Sequence, residues 1–567
     1  MQIPIHHPAS SLCSVISRAA RQGLGLLAAI ATLCLPGTPA VAQSPASGEP
    51  LVLSAGRDSV APLTPPQRPH SERLPPVTDV LAGSGGSQPE GALVSYQAPD
   101  SMIQRIAQLE ARVRELEGQS KQTVSLPEPD SALLENGRKM QAIWNYGLDF
   151  ESENKDFKVH VGGRTQYDNS FFSNDANLVV PQDEGGIGPQ PDSFQFRRGR
   201  LRIDGFMYTN FEFAAEYDFV NTLAPASPNA GQPVVTVPGL TDLWGTFTQL
   251  PYVQNFRFGN MKEPIGMEHI NSSRFLPFIE RSFMHDAVFG PFNNGFTPGV
   301  MLFGMREDQL ATWAVGWFSA QNTIFGYGIG DESALTARTT WLPIFDEPSG
   351  GRYLWHLGSG ISIRGADEDQ ARVRTRGNIR SGPPGVLNPI YADTGNMAAE
   401  MMNILGLETA CVYGPFSMQA EFAGIQITDA VQPYQPPATP VDRGDVYFYG
   451  GYVEALYFLT GENMNYNKGR GTFDRVIPYE NFFLFASPAG SVRGRGAWQL
   501  GARYDGIKLN DKGINGGILH GFTFGLNWYW NPNSKFQFNY DLTHRSRVQD
   551  VPNGFINGWG LRYAMDF

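Results

Sequence analysis

Three arginines stand at every second position of the segment "FQFRRGRLRIDG": Arg198, Arg200 and Arg202. In an extended chain that spacing puts all three on one face, and Leu201 and Ile203 fall on the other. A row of guanidiniums offers successive forked donor sets to an oxyanion. Each site is weak by itself, which suits passage along the row rather than retention. The same alternation assigns Arg164, Arg257, Arg364, Arg503 and Arg562 to the polar face of their own segments.

Two long connections add further cations. The first begins after Lys262, runs from Glu263 to about Gly295, and carries Arg274, Glu280, Arg281 and His285. The second, 460–495, carries Lys468, Arg470 and Arg475. Both are unusually long, and a segment folded inward to narrow the path explains that length. "RVRTR" (Arg372, Arg374, Arg376) lies in a loop whose direction, inward or external, the sequence leaves open. Acids oppose these cations: Glu212, Glu216 and Asp218 on the strand next to the arginine row, and Glu408, Glu421, Glu454, Asp541 and Asp566 elsewhere. Adjacent opposite charges partly cancel, so the expectation is a preference for small anions, phosphate and other oxyanions among them.

Other chemistries find little support. The nine histidines show no paired metal spacing, so no metal or cofactor is expected. His544 and Ser546 have no assignable third group, and an enzyme is not expected. The formal charge of −12 argues against a general nucleic-acid binder. "NSS" (Asn271 to Ser273) is a formal glycosylation sequon to which no role is given.

Positioning an arginine row requires strands, and the sequence reads as strands from about residue 156. Phe211, Phe213, Ala215, Tyr217 and Phe219 alternate with Glu212, Ala214, Glu216 and Asp218. Phe522, Phe524, Leu526, Trp528 and Trp530 alternate with Thr523, Gly525, Asn527 and Tyr529. Several such runs are about 9–13 residues long, enough to cross a bilayer at a tilt. A soluble sandwich uses strands of about 5–6 residues. One face meets lipid and the other a wet lumen, and only a closed barrel leaves no unpaired edge in lipid.

The runs near 156–168, 194–207, 211–220, 241–249, 254–262, 296–304, 310–319, 334–342, 353–364, 400–412, 416–426, 446–459, 496–506, 518–530, 535–545 and 556–567 number about sixteen. Turns such as "YTN", "MREDQ", "YGP" and "NPNS" are short on one side, and the connections on the other are mostly long. The fold class is therefore all-β: a transmembrane antiparallel β-barrel over 140–567, with both termini on the short-turn, periplasmic side.

The N-terminal region reads differently. Arg18 and Arg21 precede the apolar run "GLGLLAAIATLCL", and Ala40-Val41-Ala42 completes a secretory signal over 1–42. Its removal takes away two arginines and no acid, so the formal charge moves from −12 to −14. Only Cys411 then remains, which leaves no intrachain disulfide. Residues 43–100 are rich in Pro, Ser and Gly and read as a disordered tether. Met102, Ile106, Leu109, Val113 and Leu116 are spaced 4, 3, 4, 3, the seam of a short coiled coil over 101–119.

Several segments together resemble the phosphate-selective porin O and P family. They are "FQFRRGRLRIDG", "RFGNMKEPIGMEHINSSRFLPFIERS", "ADTG", "LETACVYGPFSMQAEF", "GGYVEALYFLTGENMNYNKGRGTFDRVIP", "GAWQLGARY" and "GLNWYWNPNSKFQFNY", in order over 140–567. The resemblance implies a sixteen-stranded homotrimeric barrel in the outer membrane, with inward loops narrowing each pore and a basic ladder carried by the Arg198 segment. Its partners would be outer-membrane lipid, small anionic solutes and the outer-membrane assembly machinery. Tyr563 and Phe567, in the closing "GWGLRYAMDF", resemble the terminal aromatic signal read by that machinery. The alternative reading is a structural protein that ties the outer membrane to the cell wall through 43–120.

Overall fold

The computed structural model describes residues 139–567, apart from 182–183, 221–238, 290–294, 321–332, 367–368, 382–387, 433–438, 488–489 and 547–552, together with Gln108 and Ala111. The signal, the tether and nearly all of the coiled-coil segment lie outside the described residues; Gln108 and Ala111 are helical. Among the described residues no helix is long and apolar enough to cross a membrane, which says nothing of a barrel.

Sixteen antiparallel strands close into one barrel. They are β1 (Phe157–Asn174), β2 (Ser193–Met207), β3 (Phe211–Asp218), β4 (Leu240–Leu250), β5 (Gln254–Met261), β6 (Thr297–Met305), β7 (Ala311–Ser319) and β8 (Ser333–Phe345) in the first half. The second half comprises β9 (Tyr353–Gly365), β10 (Met401–Tyr413), β11 (Phe416–Gln432), β12 (Val441–Phe458), β13 (Ala497–Asp511), β14 (Ile514–Asn531), β15 (Ser534–Ser546) and β16 (Gly554–Asp566). Each strand pairs with its sequence neighbours, and β16 returns to β1 from Ile556↔Asn174 to Asp566↔Arg164.

The closure uses the whole edge of β1. Above Arg164 that edge pairs with β16; at Gly163 it exchanges two hydrogen bonds with Phe567 (2.7 and 3.0 Å). Below, Val161 to Lys158 pair with Leu148–Ser152, the inner strand of a hairpin whose outer strand is Met140–Trp144. No donor row on this edge is left open, as a strand in lipid requires.

Alternation governs the wall. Leu201 and Ile203 are each 41% exposed on the outer face, whereas Arg198 and Arg202 are buried on the inner one. Phe422, Tyr449, Val453, Phe522 and Phe524 likewise face outward. The strand heights are uneven. β3 to β7 have 8, 11, 8, 9 and 9 residues, while β11, β12 and β14 have 17, 18 and 18.

One expectation needs correction. The 507–517 stretch is not a loop: β13 and β14 continue through it and turn at Lys512-Gly513, both at positive φ (43° and 82°). Two consecutive positive φ values fit a tight hairpin turn, and Lys at the first position hid the signal.

Three connections fold into the barrel. The 262–289 part of the first carries Phe278, Phe283, Met284 and Val288 into buried contacts. The second, described over 369–381 and 388–400, buries Ile379 and Tyr391, and the third, within 460–480, buries Met464, Phe473 and Val476.

Candidate functional site: a basic cavity at the barrel waist

The arginine row lies on the inner face of β2. Between Gln166 and Tyr167 the register with β1 shifts, so that these two successive residues face Arg198 and Phe196. Arg197 is the extra residue of this bulge, which re-aims a side chain. Arg197 therefore also turns inward and donates to both Glu280 oxygens (2.7 and 3.1 Å).

Asp204 of β2 itself, Glu216 and Asp218 of β3, and Asp242 of β4 supply acids along the row. Arg164 donates to both Glu216 oxygens at 2.7 Å. Arg200 donates to Asp218 (2.7 Å) and Glu216 (2.8 Å), and Arg202 to Asp204 (2.8 Å) and Asp242 (2.6 Å). Arg198 differs, because its partner is the neutral Gln166 Oε1 at 2.7 Å.

The first infolded loop is held at both ends of a one-turn helix, Met267–Ile270. The Met267 and Glu268 N–H groups donate to the Glu421 carboxylate (2.8 and 2.6 Å). At the other end Lys262 donates to the carbonyls of His269 (2.5 Å) and Asn271 (2.9 Å), and Arg281 to those of Glu268 (2.9 Å) and Asn271 (2.8 Å). Free carbonyls at a helix C-terminus attract cations in this way.

Further along the loop, Glu280 gathers Arg197, Arg562 (3.2 Å) and Arg380 (3.5 Å). Burial alone would raise its carboxyl, but the guanidiniums of Arg197, Arg380, Arg198 and Arg562 outweigh burial and hold it well below the carboxylate range. Asp286 is likewise held low against burial by Arg376 and Arg380. His269 Nδ1 and His285 Nε2 stand 3.3 Å apart. Burial, then the charges of Lys262 and Arg281, push His269 well below the imidazole range; burial, then Arg281 and His269, do the same for His285.

The other two loops close the ring. Arg376 donates to Asp286 from its backbone N–H (2.8 Å) and side chain, Arg380 pairs with Asp286 at 3.1 Å, and Asn378 donates to Asp505 (3.2 Å) and Asp541 (2.9 Å). From β8, Arg338 pairs with Glu408 (2.6 Å) and donates to the carbonyls of Arg470 (2.9 Å) and Gly471 (2.8 Å).

These elements surround a cavity of about 610 Å³. Thirteen arginine and lysine side chains and four carboxylates line it. Arg164, Arg197, Arg200, Arg202, Arg338, Arg376 and Arg380 are ion-paired. Arg274 lies 3.9 Å from Asp566. Arg198, Arg257, Lys262, Arg281 and Arg470 have no carboxylate at ion-pair distance among the described residues. Arg257 is oriented by Thr246 (2.8 Å) and by the ring of Trp244, whose centroid lies 3.6 Å from its guanidinium carbon.

Several expected residues lie elsewhere. Arg364, Arg503 and Arg562 point inward but away from the cavity, and each is fixed: Arg364 to Glu263 (2.6 Å), Arg503 to the Glu280 carbonyl (3.0 Å), Arg562 to Asp168 (2.6 Å). For Arg562, assigned by alternation to the face that meets the wet lumen, this is a correction: the loop packs over it, leaving it 1% exposed. Lys468 pairs with Glu347 and Arg475 with Asp566, so these two constriction candidates stand apart from the cavity, whereas Arg470 borders it. Arg372 pairs with Asp393 at the exposed end of its loop. Arg338 shares the parity of Thr336 and Thr340 on β8, a signal present in the sequence; Arg197, Arg376 and Arg380 depend on a bulge and on tertiary folding.

The model of the family described as "Phosphate-selective porin O and P" matches residues 159–563. Porin O of Pseudomonas aeruginosa is 24% identical over 443 residues, covering 72% of this chain and 89% of that one. An uncharacterized protein of Caulobacter vibrioides is 25% identical over 565 residues, 96% of this chain and 95% of its own. Among solved structures, the outer membrane channel DcaP of Acinetobacter baumannii aligns with a TM-score of 0.42 at 13% identity, covering 74% of this chain and 99% of that one. The family match spans most of the chain and the whole barrel circuit, so the chain belongs to the phosphate-selective porin O and P family and is an outer-membrane porin.

Proposed function

We propose that this porin passes small solutes by diffusion with a preference for anions, carboxylates and other oxyanions including phosphate. The observation that carries the reading is the set of five cavity cations with no carboxylate at ion-pair distance among the described residues: Arg198, Arg257, Lys262, Arg281 and Arg470. Paired arginines present little net field, whereas these five attract an anion and offer donors at several points along the path. The cavity lies between walls of low dielectric, which focus the field.

The porin works in this reading as a homotrimer in outer-membrane lipid. The low wall β3–β7 supports an oligomer: β3 and β5, of eight residues each, fall just short of the usual spanning length, which β4, β6 and β7 reach. Contact with another copy would shield this side, where β3 and β5 cover less of the hydrocarbon layer than the long strands β11, β12 and β14 do. The N-terminal segment lies in the periplasm, after removal of the signal 1–42, with the tether and coil on the short-turn side. Phe567 serves the assembly machinery.

Reversal potentials across a planar bilayer in a KCl gradient test the proposal. A potential of the sign set by chloride is expected, and one set by potassium would reject anion preference. Deleting 43–120 tests the cell-wall role: retained conductance with lost wall association supports it, and unchanged association sinks it.

A further inference from the structure

One side of the cavity is not basic. Trp244 on β4, Met301 and Phe303 on β6, Phe318 on β7 and Met261 at the end of β5 form one apolar cluster on the inner face of the barrel. The lumen face of an outer-membrane barrel is ordinarily polar, so large apolar side chains there call for an explanation. Trp244, Met261, Met301 and Phe303 border the cavity directly. They stand opposite the arginine row in kind: a guanidinium ladder on β2, and an aromatic and thioether wall on β4 to β6.

Arg257 joins the two. Its guanidinium lies over Trp244, and its carbon is 4.9 Å from the Phe303 ring centroid. Only its Nε makes a hydrogen bond among the described residues, to Thr246. The two terminal nitrogens thus present a fork whose base is aromatic. A carboxylate fits such a fork in bidentate fashion, and the body attached to it then meets the apolar wall. The volume of about 610 Å³ falls in the range of sites for organic ligands. Inorganic phosphate would use the donors and gain nothing from Trp244, Met301 or Phe303.

Resting on the anion-preferring reading above, we infer that the cavity favours organic anions with an apolar body, aromatic monocarboxylates in particular, over inorganic phosphate and short aliphatic carboxylates. The apolar wall contributes by removing the ring from water, and the cations orient the charged end.

Block of the chloride current in planar bilayers tests this. The full chain is recorded in KCl with benzoate, acetate or inorganic phosphate added in separate titrations. Benzoate is expected to half-block at a concentration at least about tenfold below the other two, the scale set by burying one ring. Phe303→Ser, and separately Met301→Ser, should narrow that gap to about twofold. The three-anion comparison on the natural sequence stands whether or not either variant assembles. Equal or tighter block by acetate or phosphate, with a chloride-set reversal potential, overturns this inference alone. A gap that both variants leave unchanged also overturns it, since the wall would not be its cause. A potassium-set reversal potential overturns the anion reading beneath it, and this inference with it.

Discussion

Replacing Glu280 with Gln should loosen two loops at once and make the channel more anion-selective. Glu280 joins the first infolded loop to β2 through Arg197, to β16 through Arg562 and to the second loop through Arg380. At 2.7 Å the Arg197 contact has a gross attraction of about 6 kcal/mol at an effective dielectric of about 20. Desolvation offsets much of that, and breaking a buried pair by removing one partner costs about 3–5 kcal/mol. Gln keeps one acceptor oxygen but turns amide hydrogens toward guanidiniums. Arg562 retains Asp168 and Arg380 retains Asp286, while Arg197 is left without a carboxylate. Hydrogen exchange should therefore accelerate across 276–289 and 376–381, and single-channel conductance should rise as the loops withdraw. The chloride-to-potassium permeability ratio should rise too, because the cavity loses one of its four carboxylates. The Glu280 carboxyl is held below its ordinary range, so its contribution is full above about pH 4.5 and fades as pH falls further. Wild-type exchange rates in both loops, with unaltered conductance, would refute the role given to this residue.

Arg198→Gln should lower the chloride-to-potassium permeability ratio with little change in thermal stability, since its partner is the neutral Gln166; Arg202→Gln should cost more, up to about 3 kcal/mol, because Asp204 and Asp242 lose their guanidinium and keep only His160 and the Trp244 indole N–H. Reversal potentials and the heating temperature at which the folded gel band is lost check both, and equal stability of the two variants would contradict the sorting. Deleting Phe567 removes two hydrogen bonds to Gly163, about 1–3 kcal/mol together, and should impair insertion more than selectivity, as read from folded protein in the membrane fraction. Acid should loosen the first loop earlier than Glu280 allows. His269 and His285 are held neutral when packed, so the loop is at full stability above about pH 6.5 and loses up to about 1.4 kcal/mol per pH unit per histidine below it. Exchange at 267–289 measured from pH 7.5 to 5 checks this, and a flat profile would contradict it.

The strands were legible because lipid and water impose opposite demands on alternate residues, and β2 and β14 carry that contrast along their length. Sixteen runs could be counted for that reason, and the inward face of Arg164, Arg257 and Arg503 followed from parity. Parity names a face and is silent about what later packs against it. Arg503 and Arg562 face inward, but a loop hundreds of residues away in sequence lies over them: Arg562 donates to the Ile279 carbonyl and Arg503 to that of Glu280. The same distance hid Glu280 as an organiser, since its three cations come from β2, β16 and the 366–400 loop. Arg197 was hidden for a local reason, the bulge opposite Gln166, which breaks the period used to read the strand. The apolar patch on the inner face is visible only after closure, when Trp244, Met301 and Phe303 prove to share one side of the lumen.

The cavity cations divide by what holds them. Arg164, Arg200 and Arg202 spend donors on carboxylates at 2.6–2.8 Å, and an arriving anion must compete with those fixed charges. Arg198 is oriented by an amide and Arg257 by an aromatic ring, neither of which cancels a charge, and Arg470 sits in a turn that its backbone N–H closes on Asn467. The field felt by a permeant anion is thus weighted toward the second group, although the first contains the arginines most evident in sequence. Lys262 and Arg281 belong to both groups in effect: they lack carboxylates, yet they hold the carbonyls that end the Met267–Ile270 turn. Substituting either confounds charge with loop order. Arg198, Arg257 and Arg470 separate the two, so neutralising them one at a time should change permeability ratios while hydrogen exchange in 267–289 stays at its wild-type rate. A parallel loss of exchange protection would mean that these three also hold the loop, and the division proposed for the cations would fall.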